Sequence, residues 1–184
     1  AEAPEHARLV HTRDLEALQR GILRATVQRN ADCEYGRAHR FATIRSVRDF
    51  RDAVPPSTWD DYAGATDRIG RGERGVLTTA PVRLLEPSSG STSASKLVPY
   101  TASLKAEYQR GLKPWLHDMY RAYPRLLRGS SYWSITPPGP ALAELRARYA
   151  AGPESVPIGF DEDADYLGPI AKLLVSLVFA VPDD

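Results

Sequence analysis

The sequence predicts an α/β domain with a helical lead-in, on three observations. Apolar residues recur at helical spacing through much of residues 1–80. Two short extended runs, Val82-Arg83-Leu84-Leu85 and Lys96-Leu97-Val98-Pro99-Tyr100, flank a serine-rich stretch. Helical period resumes after Thr101. That succession fits mixed helices and strands around one core, and 184 residues suffice for a single domain that buries one.

The elements follow in order. Leu15, Leu18, Ile22 and the Ala25-Thr26 step predict an amphipathic helix over 13–29, with Asn30 as its stop. Ser46 stands three residues before Asp49, and Thr58 three before Asp61, which predicts two capped short helices separated by Pro55-Pro56. Trp59, Tyr62, Thr66 and Ile69 share a face of the second, and Gly70 and Gly72 punctuate its end. After the two extended runs, Thr101 is placed to cap a helix along which Leu104, Tyr108, Leu112, Trp115 and Met119 recur, with Pro114 expected to kink it. Trp59, Tyr108, Trp115 and Met119 are assigned to the core. A strand over Tyr132–Thr136, a helix opening at Pro140, an extended Val156–Gly159 segment and an apolar helix from Ile170 to Val181 complete the expectation. The last of these is shorter than the roughly 20 residues a membrane span needs.

Charge and composition narrow the function. Twenty-four basic residues against 23 acidic ones leave a net charge of +1, so no chain-wide footprint points to nucleic acid or to an anionic membrane. Cys33 is the single cysteine, which excludes an internal disulfide framework and a thiolate zinc cluster. The N-terminal residues lack an apolar core of signal-peptide length, and the protein is expected to be cytoplasmic.

The serine-rich stretch Ser88-Ser89-Gly90-Ser91-Thr92-Ser93-Ala94-Ser95-Lys96 reads either as a polar linker or as a phosphate grip. It is short for a linker, it has an extended run on each side, and it ends in one of only four lysines. Successive small residues let backbone N–H groups converge on a phosphate, hydroxyls add donors, and a compact ammonium neutralises charge. It is not a Walker loop, because Ser95 and Leu97 stand where that motif needs glycine and a hydroxyl.

The same stretch resembles the phosphate-binding signature of adenylate-forming enzymes, with Ser93 replacing a glycine and Ser95 a proline. Those departures, and the tail Lys96-Leu97-Val98-Pro99, resemble the auxin-responsive (Gretchen Hagen) family of acyl-acid-amido synthetases. Tyr35-Gly36, Phe41, Ile44–Arg51, Val54-Pro55, Trp59–Tyr62 and Arg68–Glu73 are similar to that family's N-terminal segment.

The resemblance implies a ligase that uses ATP, with Mg²⁺, to adenylate a carboxylic acid and then joins the acyl group to an amino acid. It implies that Ser89, Gly90, Ser91, Thr92 and Ser93 hold phosphate oxygens, with Ser88 counted among the cofactor-binding candidates at the edge that shapes the loop, and that Lys96, the candidate catalytic residue, screens the charge. It also implies that residues 1–184 are one incomplete N-terminal portion of an adenylate-forming domain, mainly helical over 1–80 and mixed over 81–184 with the phosphate loop at 88–96. Missing C-terminal segments would then be partners, and the chain alone is expected to be inactive. The alternative is a non-catalytic, truncated relative acting as a protein-interaction module.

Other motifs carry less. Asp161, Asp163 and Asp165 imitate an EF loop, but Tyr166 stands where its glycine belongs. Gly90–Ala94 lacks the immediate helix a hydrolase elbow requires. His6, His11, His39 and His117 show no metal-ligand pairing, and Arg68, Arg71 and Arg74 among glycines are read as a solvated turn.

Overall fold

The computed structural model describes residues 14–88, 96–128, 140–150, 152 and 154–160. The expected strand at Tyr132–Thr136, the Asp161–Asp165 cluster, the helix from Ile170 to Val181, and His6 and His11 lie outside the described residues. Helices lead and a hairpin follows, as expected: α1 (Leu15–Arg29), α2 (Glu34–Ala38), a 3-10 turn (Phe41–Thr43), α3 (Val47–Ala53), α4 (Asp60–Gly70), β1 (Val82–Pro87), β2 (Leu97–Thr101), α5 (Ala102–Ala122), a second 3-10 turn (Pro124–Arg128) and α6 (Pro140–Tyr149).

Local chemistry explains most boundaries. Asp14 caps α1 by accepting from the Ala17 N–H, and Asn30 ends it. Ser46 and Asp49 form a reciprocal capping box on α3. At α4 the box is one-sided: Asp61 accepts from the Thr58 N–H and hydroxyl, while Trp59 takes the cap position. Cys33 is fully buried and caps α2, its Sγ accepting from the Gly36 N–H at 3.2 Å. Thr101 Oγ1 accepts from the Leu104 N–H to start α5, and Pro114 lies within that one continuous helix.

Two apolar clusters hold the elements. Val27, Phe41 and Ile44 form the first, with Leu23, Tyr35 and Phe50 packed against it. His39 ties α2 to the end of α3 by donating from Nδ1 to the Ala53 carbonyl at 2.8 Å, so its role is structural. The second cluster joins Ile69, Val76, Leu85, Leu97, Tyr149 and Ile158, and it sits directly under the hairpin.

Two assignments of apolar side chains change. Leu15 and Ile22 are 58% and 60% exposed, and α1 buries Leu23 and Val27 instead. Those two are one helical turn apart on a second apolar stripe, the one that the Phe41 turn and α3 cover. Tyr108 and Trp115 on α5 are also exposed, at 49% and 58%, whereas Pro114 is buried. Trp59 and Met119 are only partly buried.

Candidate functional site

The serine-rich stretch connects the two strands of an antiparallel hairpin. β1 pairs with β2 in the register Leu84↔Tyr100, Leu85↔Pro99, Glu86↔Val98 and Pro87↔Leu97, with an irregularity between Val82 and Leu84. One step further, the Ser88 N–H donates to the Lys96 carbonyl at 2.8 Å. That bond closes the mouth of the loop. Ser89, Gly90, Ser91, Thr92 and Ser93 lie outside the described residues, so the structure places Ser88 and Lys96 of the seven candidate residues.

Hydrogen-bond alternation explains how a hairpin tolerates two prolines. The Ser88–Lys96 bond makes that pair a hydrogen-bonding one, so Pro87↔Leu97 and Leu85↔Pro99 are the intervening pairs, which exchange no bonds. No ladder bond is lost at either proline. Leu85 turns its backbone the other way, donating to the Pro157 carbonyl and accepting from the Gly159 N–H, both at 2.8 Å. A parallel bridge to Ile158 results, and the expected Val156–Gly159 segment becomes the second neighbour of β1.

Side-chain alternation then sorts the two faces. Leu85 and Leu97 point into the core, at 0% and 6% exposure. Glu86, Val98 and Tyr100 occupy the opposite face, and the alternation carries that face on to Ser88 and Lys96. Lys96 is exposed, and its ammonium has no ion pair or hydrogen bond among the described residues. Glu86 Oε2 is buried and likewise has no hydrogen-bond partner among them. Phe160 packs edge-on against Tyr100 at 4.9 Å between centroids, and burial, then Tyr108 and Glu86, push the Tyr100 phenol's pKa up.

Sequence reading passed over Glu86. Its signal was available: a carboxylate two residues before the loop, in phase with Lys96 on the same sheet face. The candidate residues Lys96 and Ser88 fall at the open end of the ladder, beyond the Pro87↔Leu97 pair. The expected solvated turn is exposed but paired. Arg68 bonds both Glu34 and Glu73, holding those carboxyls below their usual range, while Arg71 meets Asp67 at 3.0 Å and Arg74 meets Glu154 at 3.8 Å. Arg68 ties α4 to α2 through Glu34, Arg71 pairs within its own helix end, and Arg74 reaches Glu154, so each has a carboxylate partner. His117 faces Asp118 at 3.4 Å on the exposed side of α5. Among the described residues no cluster of three or more His, Cys, Asp or Glu is placed to hold a metal, and no helix is long and apolar enough to cross a membrane.

A helical lead-in feeding a hairpin whose tip carries a serine-rich loop and a free lysine has a counterpart among known proteins. The sequence profile described as the GH3 family N-terminal domain matches residues 8–137, and the chain belongs to the GH3 family. It is 35% identical over 104 residues to the probable indole-3-acetic acid-amido synthetase GH3.7 of Oryza sativa subsp. japonica, covering 51% of this chain and 17% of that protein. The probable indole-3-acetic acid-amido synthetase GH3.2 of the same organism is 24% identical over 177 residues, covering 91% of this chain and 29% of the relative. A solved structure of the GH3.15 acyl acid amido synthetase superposes with a TM-score of 0.58 and 27% identity over 64% of this chain and 22% of that one. A second, of AtGH3.15 in complex with 2,4-DB, gives 0.60 and 26% over 67% and 22%. The chain therefore spans less than a third of the length of these relatives.

Proposed function

We propose that this chain supplies the nucleotide-phosphate grip of an acyl-acid-amido synthetase. The observation that carries the reading is the Ser88–Lys96 closure, which sets the free Lys96 ammonium at the tip of a hairpin anchored by Leu85 and Leu97. The two described candidates suit a polyphosphate, Lys96 as a cation without an ion pair among the described residues and Ser88 as a neighbouring hydroxyl, and the sequence adds Ser89, Gly90, Ser91, Thr92 and Ser93, residue types whose backbone N–H groups and hydroxyls suit phosphate oxygens. Mg²⁺ fits as an ion carried with ATP, since it takes one or two carboxylates plus phosphate oxygens rather than an all-protein cage. Glu86 is a carboxylate on that face whose Oε2 has no hydrogen-bond partner among the described residues.

In the proposed reaction the substrate carboxylate attacks the α-phosphorus of ATP. An acyl–oxygen–phosphorus linkage forms as the bond to pyrophosphate breaks. An amino acid's amine then attacks the acyl carbon, forming the amide, losing a proton and releasing AMP. The contribution of this segment is positioning and charge neutralisation: Lys96 and the loop donors hold phosphate oxygens in line, the form of catalysis that phosphoryl-group chemistry relies on. The relatives' names supply the acyl acid and the amide-forming reaction class, the family resemblance supplies the amino acid, and no residue of this chain is assigned to an adenine site or an acyl pocket.

The test is carboxylate-dependent exchange of labelled pyrophosphate into ATP, with the chain alone and extended along its natural reading frame. The extended protein should exchange, its Lys96→Ala form should fall by at least tenfold, and the 184-residue chain alone should be silent. Exchange that survives Lys96→Ala unchanged refutes the grip. Silence of every form with a broad panel of acids favours an interaction module.

A further inference from the structure

Away from the hairpin, an open groove of about 980 Å³ runs between α1 and α3. Arginines line both sides. Arg20 and Arg24 stand one turn apart on α1, Arg48 and Arg51 one turn apart on α3, and Arg45 precedes the α3 cap. Residues spaced this way lie about 5–6 Å apart on a helix face, so each wall presents a ladder of guanidinium groups. Two carboxylates share the lining, and each is already taken within its own helix: Glu16 pairs with Arg20, and Asp52 with Arg48 at 3.8 Å. Arg24 and Arg51 have no ion pair or hydrogen bond among the described residues. Arg45 is held in place by donating to the Ala42 and Ile44 carbonyls at 2.8 and 3.1 Å.

The concentration of charge is local. Five basic and two acidic side chains give the groove a net +3, against +1 for the whole chain, which leaves the remainder at −2. A cleft of one sign within a nearly neutral molecule gathers counter-charge and steers association. The chemistry of the lining selects among anionic partners. Among the described residues no aromatic side chain lines the groove, so they offer no stacking platform for bases. Gly21, Leu23 and Val47 add small and apolar lining between the charges. That mixture matches a peptide whose acidic side chains reach the guanidiniums, each able to take a carboxylate bidentately, while its apolar residues cover the lining.

We propose that the α1–α3 groove is a docking surface for an acidic, partly apolar peptide segment of a protein partner. This role is separate from the phosphate grip and stands whether or not that reading holds.

Fluorescence anisotropy on the 184-residue chain tests it, with a labelled peptide of alternating glutamate and leucine as probe. Binding should weaken as salt rises, and Arg24→Glu with Arg51→Glu should lower affinity at least tenfold while circular dichroism shows the helices intact. Arg121→Glu, an exposed change on α5, should leave affinity within twofold. An equal loss from Arg121→Glu would reduce the effect to net charge and overturn the proposal, as would affinity unchanged in the double variant. Displacement of the peptide by single-stranded DNA of matched charge at an equal or lower concentration would overturn the choice of partner. The Lys96→Ala form, which tests the grip, should bind the peptide as the parent does.

Discussion

Two glycines of α4 should respond to the same substitution with opposite sign. A Cβ built on Gly70 falls 2.5 and 2.6 Å from two ring carbons of Tyr149 and 3.2 Å from Leu85 Cδ1, whereas one built on Gly64 meets nothing within 4 Å. Ordinary contact begins near 3.4 Å, so the Tyr149 ring would have to retreat by close to 1 Å. It has little freedom to do so. The ring is 7% exposed within the core cluster, and its hydroxyl donates to Asp67 at 3.0 Å. Overpacking of this kind costs about 1–3 kcal/mol, against at most about 1 kcal/mol gained when alanine replaces glycine in a helix. Gly70→Ala should therefore lose roughly 1–2 kcal/mol, a fall in Tm of about 2–8 °C for a chain of this size. Gly64→Ala should gain up to about 1 kcal/mol. Urea unfolding followed by circular dichroism reads both, as shifts in midpoint at constant slope. If Gly70→Ala melts at or above the parent, Tyr149 does not occupy that space and the packing of α6 against α4 is refuted.

Ser46→Ala removes half of the capping box on α3 and should cost about 0.5–2 kcal/mol, with Ser46→Asp retaining most of it; equal melting of the alanine form would show that the box contributes nothing. Burial, and a hydrogen bond with Tyr62, push the Tyr35 phenol up to about 12 from an ordinary value near 10. The neutral form is thus favoured on folding, and the stability it contributes is complete below pH 10 and lost as pH rises towards 12. Tyr35→Phe should flatten that alkaline decline, and a variant that declines as steeply as the parent would sink the assignment. Glu86→Leu replaces a carboxylate whose buried Oε2 lacks a partner among the described residues, and should raise stability by about 1 kcal/mol while weakening nucleotide binding. A lower melting temperature would mean that the carboxylate is satisfied and structural.

The parts legible in the sequence were those governed by neighbours in the chain. Ser46 with Asp49, Thr101 with Leu104, and the stop at Asn30 act within four residues, and each lies where the pattern placed it. Burial was less legible where a helix carries two apolar stripes. Leu15 and Ile22 match helical period as well as Leu23 and Val27 do, and which stripe is buried depends on Phe41 and Ile44, residues whose approach no local spacing encodes. The same holds on α5, where periodicity marks Tyr108 and Trp115 as a face without saying what meets it. The pairing of Arg68 was not legible for a related reason, since Glu34 lies 34 residues away in the chain. The placement of the serine-rich stretch between two strands was legible, because it followed from the flanking extended runs.

The two prolines beside that stretch bear on why the loop sits on a hairpin at all. Pro87 and Pro99 occupy alternate positions on the core-facing side of the ladder, the pairs that exchange no backbone bonds. A slip of one residue would move a proline into a bonding pair and put Leu85 and Leu97 on opposite faces, turning one of them out of the core. The register is thus fixed twice, by what proline cannot donate and by what leucine must bury. Because Lys96 is only one residue before Leu97, the same constraint fixes the face on which its side chain leaves the sheet. A phosphate grip needs its cation held within a fraction of an ångström of a productive place, and positions on a rigid strand end meet that demand better than positions within a free loop. Leu97→Ala should therefore damage the grip as well as the core: about 2–5 kcal/mol of stability is lost with the buried side chain, and any folded fraction should bind nucleotide with reduced affinity. Nucleotide affinity that stays at the parent's value in folded Leu97→Ala would show that Lys96 is positioned by the loop and not by the ladder.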